Sequence, residues 1–197
     1  MSVLKLCSLL LQYPTPALVG ARAELEAAAA QAPELGPLVA RYGQTPLPAL
    51  QAEYVRTFDF DRRASLHLTY HTHGDRRQRG LELVRLKRRF AEAELALVDG
   101  ELPDYLPVLL EFAAFAPDQG LPLLAELREP LELVRSRLHE AKSLYGGILD
   151  EIVARLPRLT AAQAEAMRRL ALEGPPTELV GLEPFGAGSA LVPEDAR

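Results

Sequence analysis

The chain has 197 residues, 48% of them hydrophobic and 25% charged, with a net charge of −5. An ordinary composition at this length can bury about 70% of the unfolded surface, so no metal or disulfide staple is needed. The acidic balance argues against a general nucleic-acid binder, and the single cysteine, Cys7, excludes an internal disulfide and points to a reducing compartment.

Helical patterns dominate and no strand pattern stands out. The opening MSVLKLCSLLLQYPTP has one lysine, and Leu4, Leu6, Leu9, Leu10 and Leu11 suit a buried helix over 2–12. It lacks the basic start and cleavage site of a secretory signal. No run approaches the ~20 apolar residues of a membrane span, so a cytoplasmic location is expected. Thr15 and Pro16 read as N-cap and first residue of a second helix, which continues through ARAELEAAAAQA to about Ala32. The Pro- and Gly-rich stretch 33–46 predicts a short helical turn plus loops. A third helix is expected over 47–58, with Leu47, Leu50, Tyr54 and Phe58 on one face, and a short one between Asp61 and His73.

Asp75 can cap a helix over 76–98 whose stripe is Leu83, Leu86, Phe90, Ala93 and Leu97. Helices over 104–116 and 118–128 follow. A long one over 130–156 carries Leu131, Val134, Leu138, Ala141, Tyr145, Ile148 and Ile152, with Gly146-Gly147 as a point of kinking or breakage. Thr160 caps a last helix to Glu173. Residues 174–197 hold four glycines and four prolines and read as a loose tail. The expectation is an all-α, single-domain bundle of about eight helices over 1–173.

Charge is unevenly spread: net −2 over residues 1–61 (4 basic, 6 acidic), +7 over 62–90 (9 and 2) and −10 over 91–197 (9 and 19). A basic segment inside an acidic chain marks a local anion or partner site. Arg76, Arg77, Arg79, Arg85, Lys87, Arg88 and Arg89 could present guanidinium forks to phosphate or carboxylate, or form a solvated helix face. Aromatic residues are not interleaved with them, which tells against nucleic acid.

No set of residues completes a catalytic site. There is no G-x-S-x-G, no phosphate-cradling glycine loop, and Cys7 lies in an apolar stripe that keeps its thiol neutral. His67 and His71 are one helical turn apart, with His73 and Asp75 nearby. A metal-dependent enzyme using His67, His71 and Asp75 is the alternative, against packing or groove-lining histidines. Glu53, Asp59, Asp61, Asp104 and Glu111 sit beside Tyr54, Phe58, Phe60, Tyr105 and Phe112. Acids among aromatics suit a groove for a basic, apolar peptide. The FDFD run, Phe58 to Asp61, exposes either its phenylalanines or its aspartates in any regular element.

Three motifs, EYVRTFDFDRR, LTYHTHGDRRQRG and ELPDYLPVLLEFAA, together resemble the NarJ-type chaperones, also called nitrate reductase delta subunits or molybdenum cofactor assembly chaperones. These are grouped with the TorD/DmsD-like redox enzyme maturation proteins. The resemblance is dense over 50–116, looser at LLQYP and along 130–156, and absent from the tail. Tyr70, Gly74 and Asp75 match a Y-x-x-x-G-D motif, continued by Arg79-Gly80, and Leu102 to Leu106 match LPDYLP. His71 and His73 depart from the aromatic or aliphatic residues expected there.

The resemblance implies an all-helical cytoplasmic chaperone, not an enzyme, acting as a monomer or homodimer. It implies binding of the N-terminal segment of the apo alpha subunit of nitrate reductase until the molybdenum cofactor is inserted. No cofactor is held stably; the chaperone acts on that of the client, with cofactor biosynthesis proteins as further partners. The client-binding residues implied are Glu53, Tyr54, Phe58, Asp59, Asp61, Tyr70, His71, Gly74, Asp75 and Tyr105, with Arg76, Arg77 and Arg79 as an anionic contact.

Overall fold

The computed structural model of the chain describes residues 1–74, 77–98, 100–158 and 161–173. Among them are twelve α-helices, two 3₁₀ turns and no strand, so the all-α expectation holds while the count exceeds eight. The extra helices come from splitting and from one segment read as loop. The helix expected over 15–32 divides at Gly20-Ala21 into α2 (Pro16–Gly20) and α3 (Arg22–Ala29). Residues 33–46 contain a 3₁₀ turn (Pro33–Leu35) and a nine-residue helix, α4 (Gly36–Gln44). Their prolines lie in first turns, where the missing N–H would have had no helical partner, so they start these elements instead of breaking them. Leu38, Val39 and Tyr42 then turn into the core.

The helix expected over 130–156 is two, α10 (Arg128–Glu140) and α11 (Gly146–Ala154). The break falls just before the glycine pair, where Lys142 takes the left-handed conformation at φ 52°. Gly147 serves close packing instead, since a Cβ there would stand 2.8 Å from the Glu34 carbonyl oxygen. The remaining helices are α1 (Val3–Leu10), α5 (Leu47–Phe58), α6 (Leu68–His73), α7 (Arg77–Glu92), α8 (Leu106–Phe115), α9 (Pro117–Glu126) and α12 (Ala161–Glu173). The tail 174–197 lies outside the described residues.

At the centre α1 packs on α8, α8 on α9 and α10 on α11. Leu6 and Leu10 of α1 and Leu106, Leu109 and Leu110 of α8 are fully buried. Cys7 is buried with them, and burial pushes its thiol pKa up to about 12, as expected for an inert packing cysteine. Gly120 lets α9 approach α8 so closely that a Cβ would lie 2.3 Å from the Ala113 Cα and 2.7 Å from its nitrogen. Backbone cannot yield as a side chain does. Gly120→Ala is therefore expected to cost about 2 kcal/mol, read as a lower urea midpoint at unchanged m-value. Among the described residues no helix is long and apolar enough to cross a membrane.

Candidate functional site

Two neighbouring hollows lie beside the segment that joins α5 to α6. The first, about 450 Å³, is walled by Tyr54, Phe58 and Asp59 on one side and by His67, Glu101 and Tyr105 on the other. The second, about 870 Å³, is an apolar furrow with Phe90, Leu95, Leu97, Val98, Val108 and Phe115 along its sides. Glu101 and Tyr105 belong to both, so the two make one groove with a polar and a greasy end.

The furrow exists because α7 stops early. The stripe through Leu97 predicts a helix to 98, yet α7 ends at Glu92 and Glu94 is left-handed at φ 59°. The following residues run non-helically past α8 and leave Val98 76% and Phe115 74% exposed, over a floor in which Phe90 stacks on Phe112 at 4.6 Å. One sequence signal was available: LPVLLEFAAF carries a single charge, and a helix apolar all round needs cover on both faces. Here one face covers the core and part of the other is open.

The polar end is held by a short antiparallel bridge between His67 and Tyr105. Leu68 N–H donates to the Asp104 carbonyl (3.0 Å) and Leu106 N–H to that of Leu66 (2.8 Å). Beneath the bridge Asp104 is fully buried. Its carboxylate accepts from Thr69 Oγ1 (2.5 Å), His67 Nδ1 (3.1 Å) and Arg79 Nη2 (3.2 Å). Burial alone would raise its pKa. The hydrogen bonds from His67 and Thr69 and the charges of His67 and Arg79 outweigh that and hold the carboxyl below its ordinary value. The LPDYLP motif thus owes its aspartate to tying α6, α7 and the start of α8 together. Tyr54 donates its hydroxyl proton to the Leu11 carbonyl (3.0 Å), which leaves Tyr105 as donor in the 3.2 Å contact between the two phenols. Burial raises the pKa of both phenols, so they stay neutral at physiological pH.

The structure brings Tyr54, Phe58, Asp59 and Tyr105 into the first hollow, and Tyr70 joins them through an adjoining depression of about 250 Å³ with Arg79 and Arg62. It does not bring all the expected residues there. Glu53 pairs with Arg41 at 2.9 Å and Asp61 with Arg137, both around a different groove. Glu111, beside the furrow, is occupied by Lys5 at 2.5 Å. Of the five acids that suggested a basic ligand, Asp59 is the one exposed in the hollow; Glu101, which the motif reading passed over, is the second acid of the rim. Gly74 is buried at the end of α6 with φ 57°, so its place in the motif is a backbone requirement. Arg79 is spent on Asp104 and Thr69. Arg77 lies exposed at the start of α7, and Asp75 and Arg76 lie outside the described residues.

His71 is buried and donates Nε2–H to the Ser65 carbonyl at 2.8 Å; burial, only partly offset by that bond, lowers its pKa. His67 Nδ1–H is turned instead onto Asp104. The two imidazoles therefore serve separate acceptors, and among the described residues no three His, Cys, Asp or Glu side chains converge as metal ligands.

Comparison with known proteins gives the groove its context. A curated protein of Bacillus subtilis, "Probable nitrate reductase molybdenum cofactor assembly chaperone NarJ", is 38% identical over 113 residues, 56% of this chain and 61% of that protein. The nitrate reductase-like protein NarX of Mycobacterium tuberculosis is 38% identical over 141 residues, 70% of this chain but 22% of NarX. The Escherichia coli "Probable nitrate reductase molybdenum cofactor assembly chaperone NarW" is 32% identical over 155 residues, 78% of this chain and 67% of its own. The matched region thus spans less than two thirds of the Bacillus NarJ and about a fifth of NarX. Among solved structures, an Archaeoglobus fulgidus protein named "Putative Redox Enzyme Maturation Protein" shares the fold at TM-score 0.59 and 23% identity, over 77% of this chain and 90% of that one. The sequence model of the nitrate reductase delta subunit family matches residues 21–149, from the start of α3 into the first turn of α11 and across most of the groove. The chain belongs to the nitrate reductase delta subunit family.

Proposed function

We propose that this protein is a client-specific chaperone of nitrate reductase assembly. It holds the N-terminal segment of the apo alpha subunit in the groove while the molybdenum cofactor is inserted. The observation that carries the reading is the open furrow itself: 870 Å³ lined by Val98, Val108 and Phe115, with Asp59 and Glu101 at its polar end. A surface of this kind suits an amphipathic helix laid apolar face down. Cationic groups of the client then point to Asp59 and Glu101, which sets its register. The names borne by the NarJ and NarW relatives support the same role. Such work is done in the cytoplasm and requires binding and release, with no bond made or broken by the chaperone.

Calorimetric titration with a peptide from the alpha subunit N-terminus tests this. Binding is expected with a negative heat-capacity change. Asp59→Ala combined with Glu101→Ala is expected to weaken it about fivefold, as two exposed ion pairs contribute roughly 0.5 kcal/mol each. A peptide that fails to bind the wild-type protein removes the proposed client; equal affinity for the double variant removes the acidic rim.

A further inference from the structure

The first hollow is rich in hydrogen-bond acceptors. Because α5 ends at Phe58, Phe60 and Asp61 turn to the separate groove of Arg41 and Arg137, and Asp59 is the FDFD acid left to the hollow. Glu101 stands with it in the wall. Within the described residues neither carboxylate is hydrogen-bonded or ion-paired. Tyr105 gives its proton to Tyr54 and keeps lone pairs of its own. No lysine or arginine lines this hollow, and His67 turns its Nδ1–H inward to Asp104.

The furrow leads away from that hollow along α8. Tyr105, Val108, Phe112 and Phe115 follow one another at 3–4 spacing among its residues. From Tyr105 to Phe115 the helical rise makes it about 15 Å long, or roughly three turns of a docked helix. Helix α1 runs the opposite way. Tyr13, just past its end, meets Tyr54 beside Tyr105, while Ser2, its N-cap, lies a helix length off among the furrow's residues. Lys5 of α1 is neutralised by Glu111. The furrow is therefore polarised, with the two unpaired carboxylates at its Tyr105 end. The start of α8 adds little positive field there, since Leu106 N–H is bonded to the Leu66 carbonyl and Pro107 has no N–H.

We infer that the client helix docks in one direction, with its N-terminal turn in the first hollow and its axis parallel to α8. The inference rests on the client reading given above. A helix N-terminus presents backbone N–H groups that have no partner within the helix, together with the positive end of the dipole. Asp59 and Glu101 meet both. The reversed helix would bring unpaired carbonyls and its negative end against the same two carboxylates, with no donor between them. The geometry also sets the class of client. It is a helix of roughly three turns with an apolar stripe toward Val108 and Phe115 and no Asp or Glu in its first turn. Most helices favour acidic residues in that turn, so the hollow selects against them.

The test uses the full chain and two versions of the alpha subunit N-terminal peptide, with a nitroxide at the start or at the end of its helical segment. The label at the start is expected to broaden amide signals of residues 58–67 and 100–105. The label at the end is expected to broaden those of residues 2–5 and 112–115. The exchanged pattern, or one pattern from both labels, overturns the direction and leaves the client reading standing. A peptide that does not bind overturns both. Charge gives an independent readout. A glutamate placed in the peptide's first turn is expected to lower affinity about fivefold, and Glu101→Lys to restore it. A glutamate in the last turn should have little effect; equal losses from the two positions overturn the inference.

Discussion

Asp104→Ala is expected to destabilise the protein by about 3 kcal/mol, as a fall in urea midpoint with little change in m-value. The carboxylate is fully buried and receives three hydrogen bonds, so its removal strands three donors at once. Thr69 is almost as deeply buried and loses its short partner. Arg79 and His67 keep side-chain exposures of 19% and 38%, so water recovers part of their loss. That holds the expected cost at the lower end of the range of roughly 3–5 kcal/mol for a broken buried pair. Asp104→Asn preserves shape and one acceptor and should cost less.

The same network gives the acid response a definite sign. Asp104 has a folded pKa below its unfolded one, so its contribution is complete above the unfolded value near 3.9 and is lost as pH falls toward the folded value. His71 also has a lowered folded pKa, because burial disfavours the imidazolium. Its contribution is complete above the unfolded value near 6.5 and is lost as pH falls below that. Stability is therefore expected to decline in two stages on acidification. Asp104→Asn should shrink the second stage, which Asp150 shares because Arg135 and His139 hold its carboxyl low against partial burial, and keep the first. Urea titrations between about pH 3 and 8 check this, and an undiminished second stage in Asp104→Asn would assign it to Asp150 or another carboxyl.

The second large effect concerns the furrow. Val98→Asp with Phe115→Asp is expected to weaken binding of the alpha subunit N-terminal peptide by at least tenfold, or about 1.4 kcal/mol, while the unfolding midpoint stays nearly constant. Both residues are about three-quarters exposed, so substitution costs the fold little. Yet both supply apolar area that a docked helix would cover, and a carboxylate pressed against an apolar helix face must be desolvated. Unchanged affinity would show that the peptide does not use the furrow.

The contrast between Phe115 and Phe112 shows what could be read in advance. Phe112 continues the buried side of α8, and the same 3–4 spacing places Leu50, Tyr54 and Phe58 on the inner face of α5. Periodicity reports which side of a helix meets the core, because that depends on neighbours one turn away. It does not report where a second layer stops. Phe115 is open only because the chain after Glu92 leaves the helix, and nothing in the spacing of Leu83 to Leu97 marks that departure.

Charges were the least legible part. Asp59, Asp61 and Asp104 all stand beside an aromatic residue, yet one faces the hollow, one is bound to Arg137 on α10 and one is buried under a bridge. Their partners are 76 residues away for Asp61 and 25 to 37 for Asp104. The sequence by itself determined the helical class, the inward faces, the neutral Cys7 and, through three motifs, the family. Tertiary structure decided which acids remain unpaired, where the furrow opens and which way the two phenylalanines of FDFD turn. Local pattern sets what each helix buries; only the meeting of segments remote in the chain sets what is left exposed.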